Sequence, residues 1–477
     1  MLMKNIVAQI VEQRKKDIAE KGYTFGFKIP EKRTRKINPF MAEKGVILEV
    51  KRASPSKGDI APGLNPAETA LKYRENGAKA ISCLTEENYF KGSLQDLIDV
   101  CNAVPDVAVL RKDFLVDEKE IDIAFRCGAD AVLLISGILS LEKMLSMTKK
   151  CRELGIRAFV EVRTEDDARK VLEVKKYYPD TVVCGVNSRN LKDFSIDLLV
   201  PAMLKKTLGG DVIFESGITT AQAAEKVASM GFSGILLGEF AARNPEKAGQ
   251  FVKAFESGGE TLCGKKFVEL AEKVSGAKRF PLVKICGLTR AEDVLLADSL
   301  GADFVGFIFA SGFARNVCGK RFEEIKEVLP KVKAVKVAVV TEPESEEARA
   351  AAEFVKAGVL DFIQLHGIKY EDVPGFLKEL PHYFALTDKM GNLEELAQKL
   401  DSYGEPRFLQ DSKKRNYGNC GHLWLAGGVT AENMRSICAR FKPELVDVSS
   451  GIEEEGKPGV KNAEKMKKFF EEAGENK

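Results

Sequence analysis

The stretch VILEVKRASPSKGDIAPGLNPAETALKYRENGAKAISCL, residues 46–84, decides the fold class. It opens on Val46–Lys51 and closes on Ala80–Leu84, two short runs rich in aliphatic and β-branched residues. Between them, Asn65-Pro66 marks a helix start. Asn65 is an N-cap candidate, Pro66 takes the first helical position, and Glu68 is placed to close a capping box. A strand, a helix and a strand at this spacing form one βαβ unit, which implies parallel sheet.

The same rhythm extends in both directions. The first half holds eight such runs: Val46–Lys51, Ala80–Leu84, Ala108–Arg111, Ala131–Ile135, Ala158–Val162, Val182–Asn187, Val212–Ser216 and Ile235–Gly238. The second half holds eight more: Leu282–Cys286, Phe304–Phe309, Ala334–Val339, Phe362–Leu365, Tyr383–Leu386, Arg407–Gln410, Leu423–Ala426 and Leu445–Ser449. Further helix starts lie at Thr164 to Asp167, at Thr219-Thr220, and at Thr289 to Glu292, the last reading as a second capping box. Eight units per half predict an α/β chain of two consecutive (β/α)8 TIM barrels. Spacing does not show closure, so an open sheet in one half stays as the alternative. The division falls near residue 258, in the Gly-containing stretch 256–260. The expected domains are 1–258 and 259–477, with 259–281 a linker or helix. The segment before Val46 predicts one extra helix lying over the first barrel.

Bulk properties narrow the function. The chain has 477 residues, 73 Lys+Arg against 71 Asp+Glu and a formal net charge of +2, which gives no support for a nucleic-acid or membrane partner. Ten cysteines without a CxxC pair suit reduced thiols and predict a cytoplasmic protein. Three dispersed histidines offer no zinc-ligand spacing, so no metal is expected. No signal-peptide pattern opens the sequence.

Polar and charged residues stand at the carboxyl ends of strands that should be apolar. Glu49 and Lys51 share a strand face, and Lys112, Glu161, Asn187 and Glu215 end later strands. Each alone reads as a surface residue at a strand–loop junction. Six at equivalent positions point instead to a barrel mouth, where this fold places its active sites. Such a ring of Lys and Glu supplies both a proton donor and an acceptor. The last two strands of each half end in small residues: Ser216-Gly217 and Gly238-Glu239, then Gly427-Gly428 and Ser449-Ser450-Gly451. These positions suit phosphate.

At this point the residues resemble known families. VILEVKRASPSKG (46–58), LTEENYF (84–90), LRKDF (110–114), VEV (160–162), GVNSRNL (185–191), ESGI (215–218) and LGE (237–239) resemble indole-3-glycerol phosphate synthase. KICGLT (284–289), GFIF (306–309), QLHG (364–367), Asp411-Ser412, LAGGV (425–429) and DVSSGIE (447–453) resemble phosphoribosylanthranilate isomerase. The order resembles the fused enzyme of bacterial tryptophan biosynthesis.

For the first barrel the resemblance implies ring closure of a carboxyphenylamino-deoxyribulose 5-phosphate, with loss of carbon dioxide and water. Lys112 matches the general acid, Glu161 the acid/base partner, and Lys51 the lysine on the substrate carboxylate. Glu49, Ser54, Asn187, Arg189 and Glu215 match substrate-binding positions. Ser216, Gly217, Gly238 and Glu239 match the phosphate side. Many relatives have Ser at the position of Glu239, so only its backbone N–H is expected to serve.

For the second barrel it implies an Amadori rearrangement, with Cys286 as general base and Asp411 as general acid. Cys286 precedes the helix start at Thr289, and a helix N-terminus favours the thiolate. Taken alone, Cys286 would be a buried small hydrophobe. Arg315 matches the arginine on the anthranilate carboxylate, and Gln364 and His366 line the pocket. A structural, hydrogen-bonded histidine is the other reading of His366. Gly427, Gly428, Ser449, Ser450 and Gly451 match the phosphate site.

The second half departs from its family's pattern at Phe313-Ala314, where Ser-Pro is usual, and at the basic run 413–421, which replaces a glycine-rich loop. An active synthase with a weakened or structural isomerase-like domain is therefore the alternative. Both reactions need only proton transfers, so no cofactor is expected. Expected partners are small phosphorylated substrates. A monomer is expected, with association with other tryptophan-pathway enzymes left open.

Overall fold

Each sheet closes because its first strand pairs with its last, and residues along each strand alternate between the barrel interior and the helix layer. The computed structural model describes residues 6–189, 195–277, 279–418 and 421–474. The last two residues of the motif at 185–191, and two residues of the run at 413–421, lie outside them. The chain divides into two compact units, Met1–Glu260 and Thr261–Lys477.

In the first unit, strands β1 (Gly45–Val50), β2 (Ala80–Leu84), β3 (Ala108–Lys112), β4 (Ala131–Ile135), β5 (Arg157–Val162), β6 (Val182–Asn187), β7 (Val212–Glu215) and β8 (Gly234–Leu237) form a closed parallel barrel. Closure rests on β1, which pairs with both β8 and β2. The interior is packed by Ile47, Leu110, Leu133, Phe159, Ile213 and Leu236. Each strand's next same-face residue lies two positions on. Glu49, Lys112, Glu161 and Glu215 therefore continue the interior stacks of β1, β3, β5 and β7 at the carboxyl end.

Helix α1 (Ile6–Lys21) precedes the barrel and is anchored by buried charge. Arg14 donates to Glu120 at 2.9 Å and to Asp113 at 2.6 Å, and Asp113 also receives Arg111 at 3.2 Å.

In the second unit, β9 (Leu282–Cys286), β10 (Phe304–Ile308), β11 (Val335–Val340), β12 (Phe362–His366), β13 (His382–Thr387), β14 (Leu409–Asp411), β15 (Trp424–Ala426) and β16 (Leu445–Val448) close a second parallel barrel. Here β9 pairs with both β10 and β16. Val283 and Ile285 join the apolar layer beneath the helices. The alternate positions Lys284 and Cys286 do not share that face. A helix, Leu262–Ser275, precedes β9.

Helix starts differ from their expected form in two places. Asn65 caps its helix by accepting from the N–H groups of Ala67 and Glu68, but Glu68 receives the Asn65 side-chain amide at 3.3 Å, so no reciprocal box forms. Thr164 and Asp167 do form a full box. Thr289 caps nothing. The helix Ala291–Ser299 starts after Arg290 with no side-chain cap, and the Thr289 hydroxyl donates to the Gly459 carbonyl at 2.6 Å. A distant loop outcompetes the local cap.

Candidate functional site

The first barrel's interior stacks end under a cavity of about 140 Å³. Glu49, Lys51, Ser54, Lys112, Glu161, Asn187, Arg189, Glu215 and Ser216 line it, together with Ile6, Val7 and Ile10 of α1. Gly217, Gly238 and Glu239 are not in its wall. Gly238 still lies close to the charges, since a Cβ there would stand 2.7 Å from Glu49 Oε1. Ser216 and Gly217 both have positive φ. Glu239 opens the short helix Glu239–Arg243, and its carboxylate pairs with Arg243 at 3.5 Å.

Lys112 is the centre of the charge arrangement. Its Nζ is 2.5 Å from Glu215 and 3.5 Å from Glu161, over the Phe159 ring at 5.5 Å. Burial works to discharge this ammonium, but Glu215, Glu161 and Glu49 outweigh it and raise its pKa. The two carboxylates are driven apart. Burial pushes Glu215 up to about 7 despite Lys112. Burial acts the same way on Glu161, but Arg163 and Lys112 overcome it and hold Glu161 below the usual range. Two neighbouring carboxyls with separated pKa values are a means of dividing acid and base roles. Asn187 donates to Glu161 at 3.4 Å, and Lys51 contacts Glu49 at 3.2 Å. Gly185 makes room for this group, since a Cβ there would stand 2.4 Å from Glu215 Oε1 and 2.5 Å from Phe159.

The second barrel gathers a second cluster at its carboxyl end. Cys286 is buried at the end of β9. His366 Nε2 lies 3.8 Å from Asp411, and His366 Nδ1 lies 3.2 Å from the Gln364 amide. Burial raises the Asp411 carboxyl, Asp447 and Asp388 add to the rise, and His366 opposes it. Burial lowers His366 in turn, against the pull of Asp411. The expected thiolate at Cys286 is not what this environment favours. Burial and then Asp447 raise its pKa, more than Lys284 and Lys461 lower it.

The phosphate candidates come together as expected of adjacent strand ends. Gly427 and Gly428 follow β15 with φ of +106° and +62°. Gly451, after β16, packs so tightly on the preceding turn that a Cβ would collide with the Val429 carbonyl. Arg315 is engaged by Glu453 in a bidentate pair, at 2.7 and 2.6 Å.

Sequence reasoning missed several residues here. Lys284 is fully buried, with Nζ 2.5 Å from Asp447 and 2.8 Å from Gln364 Oε1, which also accepts from Tyr383. A lysine inside the apolar run LVKIC was the available signal. Arg163, on Glu161, carries no such mark. Glu453 closes the quoted DVSSGIE motif without a role being read from it, and Lys461 carries no mark, because Arg315 and Cys286, which they engage, lie far away in sequence.

Residues 7–255 match the family model for indole-3-glycerol phosphate synthase, and residues 283–472 match that for N-(5'phosphoribosyl)anthranilate (PRA) isomerase. The multifunctional tryptophan biosynthesis protein of Schizosaccharomyces pombe is 33% identical over 474 residues, covering 90% of this chain and 59% of that protein. Its counterpart in Phycomyces blakesleeanus is 30% identical, covering 90% and 62%. The chain thus spans less than two thirds of the length of these two relatives. The indole-3-glycerol phosphate synthase of Oceanobacillus iheyensis is 40% identical over 197 residues, covering 41% and 73%. A crystal structure of phosphoribosyl anthranilate isomerase from Thermotoga maritima is 30% identical and covers 40% of this chain and 97% of that one, with a TM-score of 0.33. No described helix is long and apolar enough to cross a membrane, and no described group of His, Cys, Asp and Glu is arranged to hold a metal ion.

Proposed function

We propose, because this chain belongs to the indole-3-glycerol phosphate synthase family through residues 7–255 and carries a PRA isomerase domain at 283–472, that it performs two consecutive steps of tryptophan biosynthesis. The second barrel isomerises N-(5-phosphoribosyl)anthranilate to 1-(2-carboxyphenylamino)-1-deoxyribulose 5-phosphate. The first barrel closes that product to indole-3-glycerol phosphate. The observation that carries the reading is the Lys112 ammonium set between Glu215 and Glu161, whose pKa values are driven apart.

In the first barrel Lys112 gives its proton to the substrate ketone oxygen as the aromatic carbon attacks. Glu215 and Glu49 hold that ammonium in place and charged. Carbon dioxide then leaves, and Glu161 and Lys112 exchange protons in the loss of water. Lys51 holds the substrate carboxylate. Ser54 and Asn187 take the polar groups of the substrate. Arg189 and the turns at Ser216-Gly217 and Gly238-Glu239 hold the phosphate.

In the second barrel Asp411 protonates the furanose ring oxygen. Burial raises its pKa, in the direction that favours the protonated acid this step needs. Cys286 takes the proton from the sugar's second carbon, with Lys284 and Lys461 as the cations that favour its thiolate. Gln364 and His366 border the substrate. Arg315 holds the anthranilate carboxylate, and the turns at 427–428 and 449–451 hold the phosphate.

Complementation tests the proposal. Expression in two hosts, each lacking one activity, should restore growth without tryptophan in both. Growth of only the synthase-deficient host would leave the second barrel as a structural partner. Growth of neither would overturn the reading.

A further inference from the structure

A single carboxylate ties three parts of the second site together. Glu453 follows β16 and is 6% exposed. Its Oε2 accepts from Arg315 Nη2 at 2.6 Å. Its Oε1 accepts from Arg315 Nε at 2.7 Å, from the Gly459 N–H at 3.0 Å and from Lys461 Nζ at 3.1 Å. The Lys461 side chain is fully buried, and its other two protons go to the Cys286 carbonyl at 2.7 Å and the Ser449 carbonyl at 3.0 Å. One buried ion pair therefore joins the backbone of the candidate base to the start of the phosphate turn, and both to Arg315.

The way Glu453 holds Arg315 matters. A guanidinium offers two forks, one from Nε with an Nη and one from the two Nη atoms. Glu453 occupies the Nε–Nη2 fork and leaves the Nη1–Nη2 edge. The arginine stem lies against the backbone just after Cys286, since a Cβ on Gly287 would stand 2.7 Å from Arg315 Cδ.

We infer that Glu453, braced by Lys461, is a positioning residue that aims the second fork of Arg315 and so sets the preference for substrates bearing an aromatic ortho-carboxylate. This rests on the isomerase reading above. Glu453 touches no substrate atom. It acts by fixing the angle of the guanidinium that does.

The test compares two substrates: the phosphoribosyl adduct of anthranilate, and that of aniline, which lacks the carboxylate. Glu453→Gln turns an amide N–H toward the arginine and loosens the fork. With the anthranilate adduct, kcat/KM should fall about 10- to 100-fold, the range of one charge-assisted hydrogen bond, mostly through KM. With the aniline adduct, which offers Arg315 no carboxylate, the fall should be clearly smaller. In an Arg315→Ala background, Glu453→Gln should add almost nothing, as coupled residues require. Equal losses on both substrates, or full additivity with Arg315→Ala, would reduce Glu453 to a structural role and overturn the inference. Glu453→Asp keeps the charge if the Gln variant fails to fold, and should show the same substrate-dependent loss in smaller degree. A wild-type protein inactive on the anthranilate adduct would refute the isomerase reading itself.

Discussion

Removing the Arg14 guanidinium should weaken the first unit severely. Its side chain is 5% exposed, and it pairs with Asp113 and Glu120, both with fully buried side chains. In Arg14→Met, Asp113 keeps Arg111 and the Thr85 hydroxyl, and Glu120 keeps the backbone N–H groups of Val116 and Asp117. Neither keeps its full complement of charge. Breaking a buried ion pair from one side costs about 3–5 kcal/mol. For a unit of this size that is roughly 6–20 °C in Tm, at about 2–4 °C per kcal/mol. The packing of Arg14 over the Phe25 ring, 4.3 Å away, is also lost. Arg14→Lys should recover only part, because one ammonium does not span both carboxylates as the planar fork does. Because α1 forms part of the cavity wall, the synthase KM should rise as well. The assay is urea unfolding followed by far-UV circular dichroism. Trp424, the single tryptophan, lies in the second unit and reports on it separately. A loss below about 1 kcal/mol, the worth of an exposed pair, would refute the argument that this buried network anchors α1.

Other outcomes follow from the same geometry. Glu444 accepts from both Arg407 and the Trp424 indole, and despite its burial His422 and Arg407 bring its pKa down from 4.5 to about 2. A depressed carboxylate stabilises above its unfolded pKa, so about 3 kcal/mol should be lost as pH falls from 4.5 toward 2, and Trp424 emission should show Glu444→Gln lacking that dependence. Gly185→Ala pushes a methyl into Glu215 and Phe159, and should cut synthase kcat at least about 10-fold with a small change in KM. Glu215 at about 7 predicts a synthase rate that climbs through neutral pH as that carboxylate ionises, and Glu215→Gln should abolish this limb in a pH–rate profile.

Much of this was legible in the sequence, for definite reasons. Strands announce themselves by apolar runs, and the boundaries of β2, β4 and β9 match the runs that predicted them. The ring of Glu49, Lys112, Glu161 and Glu215 was visible because charges in such runs violate the pattern. What stayed hidden depends on contacts across long sequence separations. Thr289 has a capping-box pattern but spends its hydroxyl on Gly459. Cys286 sits near a helix start, yet burial and Asp447 decide its proton affinity. Glu453 and Lys461 look like surface charges until the chain brings them over the end of β9.

The central claim is that two acid/base centres work independently, one at the mouth of each barrel. Its most direct test is to assay both reactions in Lys112→Ala and in Cys286→Ala. The account predicts that Lys112→Ala forms no indole-3-glycerol phosphate and isomerises near the wild-type rate, and that Cys286→Ala does the reverse. Loss of both activities in either variant, with the fold retained by circular dichroism and Trp424 emission, would contradict it.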